Sequence, residues 1–386
     1  MEYYEGLLEE PGVGRDPNHE KMAQMVKLIT QRGPRIDQIA RAIDVYKETV
    51  RYWYRNMLRD GFTVQAAKNC EKLGMKRVVM VVELGETFDG YSDALMYALG
   101  DLCYVVSFAK TLPDGFYTVN ASVPVECLDS WADFMLSLKE MGVFKSMTSI
   151  VLDWVRNVPM KAEMYDFSER RWDFDWSKRT VNPASTDFEV AERERYDSID
   201  LEIIEQLQVD ANIQITDMAK KLKMNHKTLA YHYDTHVLRR GLIKGYIVNW
   251  IGTRYDYEAE KPVHRKHRYT PVEIFADDLE QPERVELMKS VGQLPYAWLE
   301  GGGQRSYYAK IVFPNEEFTE ALDFLGRVVK LSRGKIRCYT MDQAHALWFA
   351  LPKQYYDQKH HRWVFNQSDL RHRFELLVQK MAGTTG

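Results

Sequence analysis

The side chains in this 386-residue chain best suited to chemistry are cationic and amide groups at helical spacing. Lys47, Arg51, Arg55 and Arg59 recur every four residues, which places them down one face of a helix. A second set, Asn225, His226, Lys227, Tyr231 and His232, follows Lys220, Lys221 and Lys223 and precedes Arg239 and Arg240. Rows of guanidinium and ammonium groups neutralise phosphates, and amide and hydroxyl groups among them can hydrogen-bond to base edges. This is the equipment of a reader of double-stranded DNA. On this pattern Lys47, Thr49, Arg51, Asn225, Lys227 and Thr228 would read bases. Lys220, Lys221, Arg239, Arg41 and Arg59 would hold phosphates.

Other chemistries have less support. His232 and His236 stand at i and i+4, a spacing that can bind a metal, with His226 nearby. No cysteine joins them in sequence, and Asp234 falls on another face, so they read as groove or packing residues. The four cysteines, Cys70, Cys103, Cys127 and Cys338, are scattered without a C-x-x-C pair. Neither a zinc site nor a disulfide framework is indicated. No nucleophile triad, phosphate-binding loop or metalloprotease motif occurs. The expectation is a protein that is not an enzyme, with no cofactor and no metal.

The elements that would carry these residues form a repeat. Residues 36–62 (IDQIARAIDVYKETVRYWYRNMLRDGF) return as residues 215–242 (ITDMAKKLKMNHKTLAYHYDTHVLRRGL). Ile36, Ala40 and Ile43 fall on Ile215, Ala219 and Leu222; Thr49, Tyr52 and Tyr54 fall on Thr228, Tyr231 and Tyr233. After one extra residue in the second copy, Leu58-Arg59-Asp60-Gly61 meets Leu238-Arg239-Arg240-Gly241. A short helix with a small buried alanine, a tight turn and a longer helix closed by glycine describe a helix-turn-helix.

Composition bounds the rest. A hydrophobic share of 45% and a charged share of 28% describe a folded chain with ample core, long enough for two to four domains. The net charge is −4, so any nucleic-acid affinity must come from local basic surface. No apolar run is long enough to span a bilayer, and no signal-peptide pattern opens the chain, so a cytoplasmic protein without membrane contact is expected.

Taken in order, residues 1–18 read as a flexible arm and 19–66 as the first winged helix-turn-helix. Residues 76–156 alternate strand, helix, strand, strand, helix, strand, the ferredoxin-like βαββαβ arrangement. Residues 157–195 read as an extended arm and linker, 196–252 as the second winged helix-turn-helix and 268–342 as a second βαββαβ domain. Within the latter, Gly301–Gly303 reads as a hairpin turn. Residues 343–386 hold a second arm and a C-terminal helix. The arms match too: Tyr165-Asp166 with Tyr356-Asp357, and Arg171-Trp172 with Arg362-Trp363. The fold class expected is therefore α+β, a tandem duplication of winged helix plus sheet domain.

At Leu238–Gly252 (LRRGLIKGYIVNWIG) the chain resembles the leucine-responsive regulator (Lrp/AsnC, feast/famine) family, in which a recognition helix ends at glycine before an I-x-G-Y-like strand. The resemblance implies a sequence-specific transcription regulator whose sheet domains, of the RAM type related to ACT domains, mediate dimerisation and sense a small molecule. Here one chain would supply both heads as an intramolecular pseudo-dimer. The family's Gly-Asp-Tyr-Asp-like effector stretch is not preserved, the chain reading Asp114–Thr118 in one copy and Gln304–Tyr308 in the other, so any effector stays unidentified. The first unit lacks the Gly-Tyr wing signature, so the heads would differ in preference. Siroheme decarboxylases pair the same units, and this resemblance implies histidine and arginine near a tetrapyrrole. The strand expected over Cys103–Lys110 contains neither, and Tyr296–Arg305 only Arg305.

Overall fold

A computed structural model describes residues 17–176, 192–250, 254–256, 261–263, 269–330, 332 and 334–383. Nearly all of the arm expected over 1–18, most of the expected linker, and the charged stretches Glu258–Glu260 and His264–Arg268 lie outside the described residues.

The first head consists of helices α1 (Pro17–Arg32), α2 (Ile36–Ala42) and α3 (Lys47–Arg59) and strand β1 (Thr63–Lys68). Helix α3 buries Val50, Tyr54 and Met57, an i, i+4, i+7 stripe, and leaves its cationic face outside. The second head repeats this as α6 (Ser198–Val209), α7 (Ile215–Lys221), α8 (His226–Tyr231), a π-helical segment (His232–Arg239) and β9 (Ile243–Asn249). The local backbone repeats as well. Asp44 and Lys223, equivalent turn residues, both take positive φ (51° and 53°). The closing Gly61 and Gly241 do so at 99° and 70°, the left-handed stop that glycine adopts without Cβ strain.

The two heads interlock. β1 pairs antiparallel with β9, from Thr63 opposite Asn249 to Ala67 opposite Gly245, so each wing completes the other. Helix α1 packs on β9 while α6 packs on β1. The Tyr54 hydroxyl donates to Asn212 Oδ1 in the second head, and Arg35 of the first lies 5.3 Å over the ring of Tyr233, the residue equivalent to Tyr54.

Each sheet domain has the expected order. The first comprises β2 (Met75–Leu84), α4 (Ser92–Leu102), β3 (Val105–Leu112), β4 (Tyr117–Pro124), α5 (Leu128–Glu140) and β5 (Phe144–Leu152), followed by β6 (Trp154–Asn157) and a two-strand hairpin, β7 (Tyr165–Asp166) with β8 (Arg171–Trp172). After the second head come two short strands, β10 (Arg254–Asp256) and β11 (Lys261–Val263). The second domain then runs β12 (Tyr269–Ala276), α9 (Gln281–Gly292), β13 (Ala297–Gly302), β14 (Tyr307–Pro314), α10 (Phe318–Lys330) and β15 (Ile336–Trp348). Its own hairpin, β16 (Tyr356–Asp357) with β17 (Arg362–Trp363), precedes α11 (Gln367–Gly383).

The two sheets join into one of nine strands, β5-β2-β4-β3-β15-β12-β14-β13-β6. β15 runs on to Trp348, past the expected domain end at 342, to pair with β3, and β6 pairs with β13. Because β6 continues β5 after Asp153, the sheet closes on itself as a flattened barrel. Helices cover the outside, with Trp131, Phe134, Met135 and Leu138 of α5 buried in the core. Complete burial of each such side chain contributes roughly 1.5–3 kcal/mol. The third strands, β4 and β14, are buried along their whole length, one face under the helices and the other facing the barrel interior. Helix α11, without a counterpart, lies on α5, with the Phe134 and Phe374 ring centroids 5.5 Å apart.

Gly301 and Gly302 belong to β13 instead of the expected turn. A Cβ on Gly301 would lie 2.8 Å from the Leu152 side chain and the Trp154 carbonyl, and one on Gly302 would lie 2.6 Å from the Ser306 carbonyl and 3.2 Å from the Trp154 ring. The glycines let β13 run against β5 and β6 where the barrel closes.

Candidate functional site

A cleft opens where the barrel interior meets the shared wing sheet. It offers about 180 Å³ to water-sized groups and is open to solvent on one side. β1 contributes Gln65, Ala66, Ala67 and Lys68, and β9 contributes Lys244 and Ile247. The barrel contributes Arg77, Ser107, Asn120, Trp298, Lys310 and Trp348. Both halves of the chain are therefore needed to form it.

Four cations line the cleft. Lys68 is buried, and its Nζ has no hydrogen-bond partner. Burial, opposed by Cys70 and reinforced by the nearby Arg77 guanidinium, pushes its pKa down to about 8. Arg77 points Nη2 toward Cys70 Sγ at 3.9 Å, and its Nε also lacks a partner. Lys244 is held 2.8 Å from Glu71 and donates to the Val155 carbonyl at 3.0 Å. Lys310 is buried against the fully buried Glu273, 3.2 Å away, and Asn120 Nδ2 approaches the same carboxylate oxygen at 3.5 Å.

Lys310 also faces two aromatic rings. Its Nζ lies 5.4 Å from the Trp298 centroid and 5.5 Å from that of Trp348, and the two indoles meet edge-on at 5.0 Å. The cleft thus combines flat apolar surface with ammonium and guanidinium groups, two of which keep donors unused. Such a lining suits a planar ligand bearing several carboxylates. No histidine lines it among the described residues.

The residues singled out for DNA lie elsewhere, on the heads. Lys47, Arg55, Arg59, Lys220, Lys221, Asn225, His226, Lys227, Thr228, Tyr231 and Arg239 are exposed, while Thr49 and Arg51 are half-buried. Several cations already have partners: Lys47 with Asp37 at 2.8 Å, Arg51 with Glu48, and Lys220 with Asp217 at 3.0 Å. Asn225 caps α8, its Oδ1 accepting from Lys227 N and Thr228 N. His232 is not at the surface. It is buried with Nδ1 2.8 Å from Asp200 Oδ1, so it faces the core of its head and cannot reach a groove.

No family model and no curated protein matches this chain. Solved structures do match. The crystal structure of the siroheme decarboxylase NirDL superposes with a TM-score of 0.53 over 92% of this chain and 99% of that one, at 11% identity. The chain shares that enzyme's fold. The same enzyme in co-complex with an iron-uroporphyrin III analogue gives 0.51 over 95% and 100%, at 10% identity. The expectation of a chain that is not an enzyme is overturned by this likeness, because the architecture read as a regulator's is, over its full length, also an enzyme's. A histidine or arginine was expected on two strands. The cleft's cations stand elsewhere, Lys68 at the end of a wing and Arg77 on the first sheet strand. A lysine closing the small-residue strand TVQAAK is visible in the sequence, but its burial and its lack of a partner are not.

Proposed function

We propose that this chain is an enzyme that binds a polycarboxylate tetrapyrrole of the siroheme class in the wing-barrel cleft and removes carbon dioxide from one of its acetate side chains. The observation that carries the reading is the buried Lys68, whose Nζ has no partner, beside Arg77, whose Nε has none, in a cleft also lined by Trp298 and Trp348. Carboxylates of the substrate would answer Arg77, Lys244 and Lys310, and one of the two perpendicular indoles would meet its flat face. Buried cations without partners are costly, and an anionic ligand supplies the missing counter-charge. The likeness to a siroheme decarboxylase supports the same reading.

Decarboxylation of an acetate arm breaks its C–C bond, releases CO2 and leaves the electron pair on carbon. One proton on that carbon completes a methyl group, with no net oxidation. Lys68 is assigned as the proton donor, because an ammonium with a pKa near 8 gives up its proton more readily than an ordinary lysine. Solvent entering the cleft restores it. The test is a visible absorbance titration with siroheme, followed by mass analysis of the product. Lys68→Met should still bind but lose turnover by about 100-fold or more, the upper range of general acid catalysis. Arg77→Leu should weaken binding. A wild-type chain that neither binds siroheme nor alters its mass would refute the assignment.

A second reading is favoured by the exposed basic faces of α3 and of the α7–α8 turn: binding of double-stranded DNA by two unequal heads, as in a transcription regulator. Thr228 and Lys227 stand at the open start of α8. Filter binding of a native promoter fragment at two salt concentrations tests it. An affinity that does not change with salt, or that equals that for random DNA, counts against it.

A further inference from the structure

The geometry points to a divalent transition-metal site in the second head, formed by His232, His236, Asp197 and Asp200. The two histidines come from the π-helical segment and the two carboxylates from the start of α6, so the site joins elements about 35 residues apart in the chain. One potential ligand atom from each of the four residues lies within 4.8 Å of the others. His232 Nδ1 and His236 Nδ1 stand 2.8 and 3.1 Å from Asp200 Oδ1, and His232 Nδ1 stands 3.7 Å from Asp197 Oδ1. Four ligands at bonds of about 2 Å around a tetrahedral centre would be separated by roughly 3.3 Å, a value these distances bracket.

The donor chemistry selects the ion. Two imidazole nitrogens and two carboxylate oxygens form the borderline set preferred by Zn²⁺, with Co²⁺ or Ni²⁺ as close substitutes, and the two carboxylates balance its charge. Asp200 is completely buried, and the His232 and His236 side chains are only 11% and 14% exposed, so the ion would be shielded while Asp197 leaves an entry path. Both carboxylates are positioned independently of the histidines. Asp197 Oδ1 accepts from Ile199 N and Asp200 N, and Asp200 Oδ2 accepts from Asp197 N, a reciprocal helix cap. The imidazoles meet edge-to-face with centroids 4.5 Å apart, and the Tyr231 ring meets both in the same manner. The first head has no equivalent: Asn56, Tyr54 and Trp53 occupy the corresponding stretch of α3. The ion would tie α6 to the helix that follows α8 and set the orientation of the second head alone.

The experiment uses the full chain without a histidine tag, stripped with chelator and titrated with ZnCl2 by calorimetry. A parallel titration with CoCl2 is followed by visible absorption. One equivalent of Zn²⁺ should bind, thermal unfolding should move upward with metal concentration, and Co²⁺ should give the intense d–d bands of a four-coordinate site. His236→Gln, which leaves the helix cap intact, should weaken Zn²⁺ by about 100-fold or more, since even outer-shell partners cost 10–100-fold. Asp200→Asn should abolish the cobalt bands, and circular dichroism of that variant separates metal loss from unfolding. A folded wild-type chain that binds no Zn²⁺, or a His236→Gln chain that binds it as tightly as the wild type, overturns the site.

Discussion

Lys68 illustrates how the group proposed as the acid would work against its own fold. An ordinary lysine titrates near 10.5, but burial holds this one at about 8. Between those values the unfolded chain binds more protons than the folded one, so stability rises with pH across that window. Below pH 8 both states are protonated and the full cost of burying the charge remains. Lys68→Met should therefore stabilise the free protein at pH 7 by on the order of 3 kcal/mol. The gain should shrink toward zero as pH approaches 10.5, and urea denaturation at several pH values measures it. A variant stabilised equally at every pH would mean that packing, not charge, is responsible. The same change should lower the proposed turnover by about 100-fold or more, the usual exchange between stability and function. Individual residues were unevenly legible in sequence. The exposed cations of α3 and α8 announce themselves by spacing, whereas His232 falls at the same kind of spacing and is buried. What separates them is Asp200, 32 residues upstream, which sequence periodicity cannot connect to it.

Among the elements, the second recognition helix shows what an alignment of the copies can reveal. The single residue by which the second copy exceeds the first, before Leu238, coincides with the π-helical turn over His232–Arg239. An added residue absorbed inside a helix widens one turn locally, and such turns concentrate at functional sites. Deleting Thr235 should restore α-helical register, rotate His236 away from Asp200 and eliminate Zn²⁺ binding while helical content by circular dichroism is retained. Retention of Zn²⁺ affinity in that variant would contradict this account. Helix positions, the order of strands along the chain and the repetition of the arms could be read from periodicity and from the repeat itself, whereas the arms' hairpin pairing could not. Nor could pairing between the copies. The extension of β15, the return of β6 and the β1–β9 wing pair depend on partners far away in the chain. The glycines of β13 looked like a turn because their purpose, close passage of β5 and β6, is invisible in one dimension. Gly301→Val should press on Leu152 and the Trp154 carbonyl and open this seam, lowering the thermal midpoint by several degrees if it costs about 1–3 kcal/mol, the usual range for overpacking.

At the scale of the molecule, the two repeats are not beads on a string. Wings are exchanged between heads, and each sheet borrows a strand from the other's extension. Calorimetry should accordingly record one cooperative unfolding transition in the metal-free chain instead of two; well-separated transitions would show that the repeats are independent. Duplication within one polypeptide also frees the site from symmetry. In the register of the repeat, the partner of Lys68 is Val248 and the partner of Lys244 is Val64. An assembly of two identical subunits must offer a ligand the same groups from both sides, and so lets it enter in either sense. Here the proton-bearing lysine exists once, on one lip only. A guest with unlike rims therefore has a single productive way to lie in each chain, and one particular arm of it meets the acid.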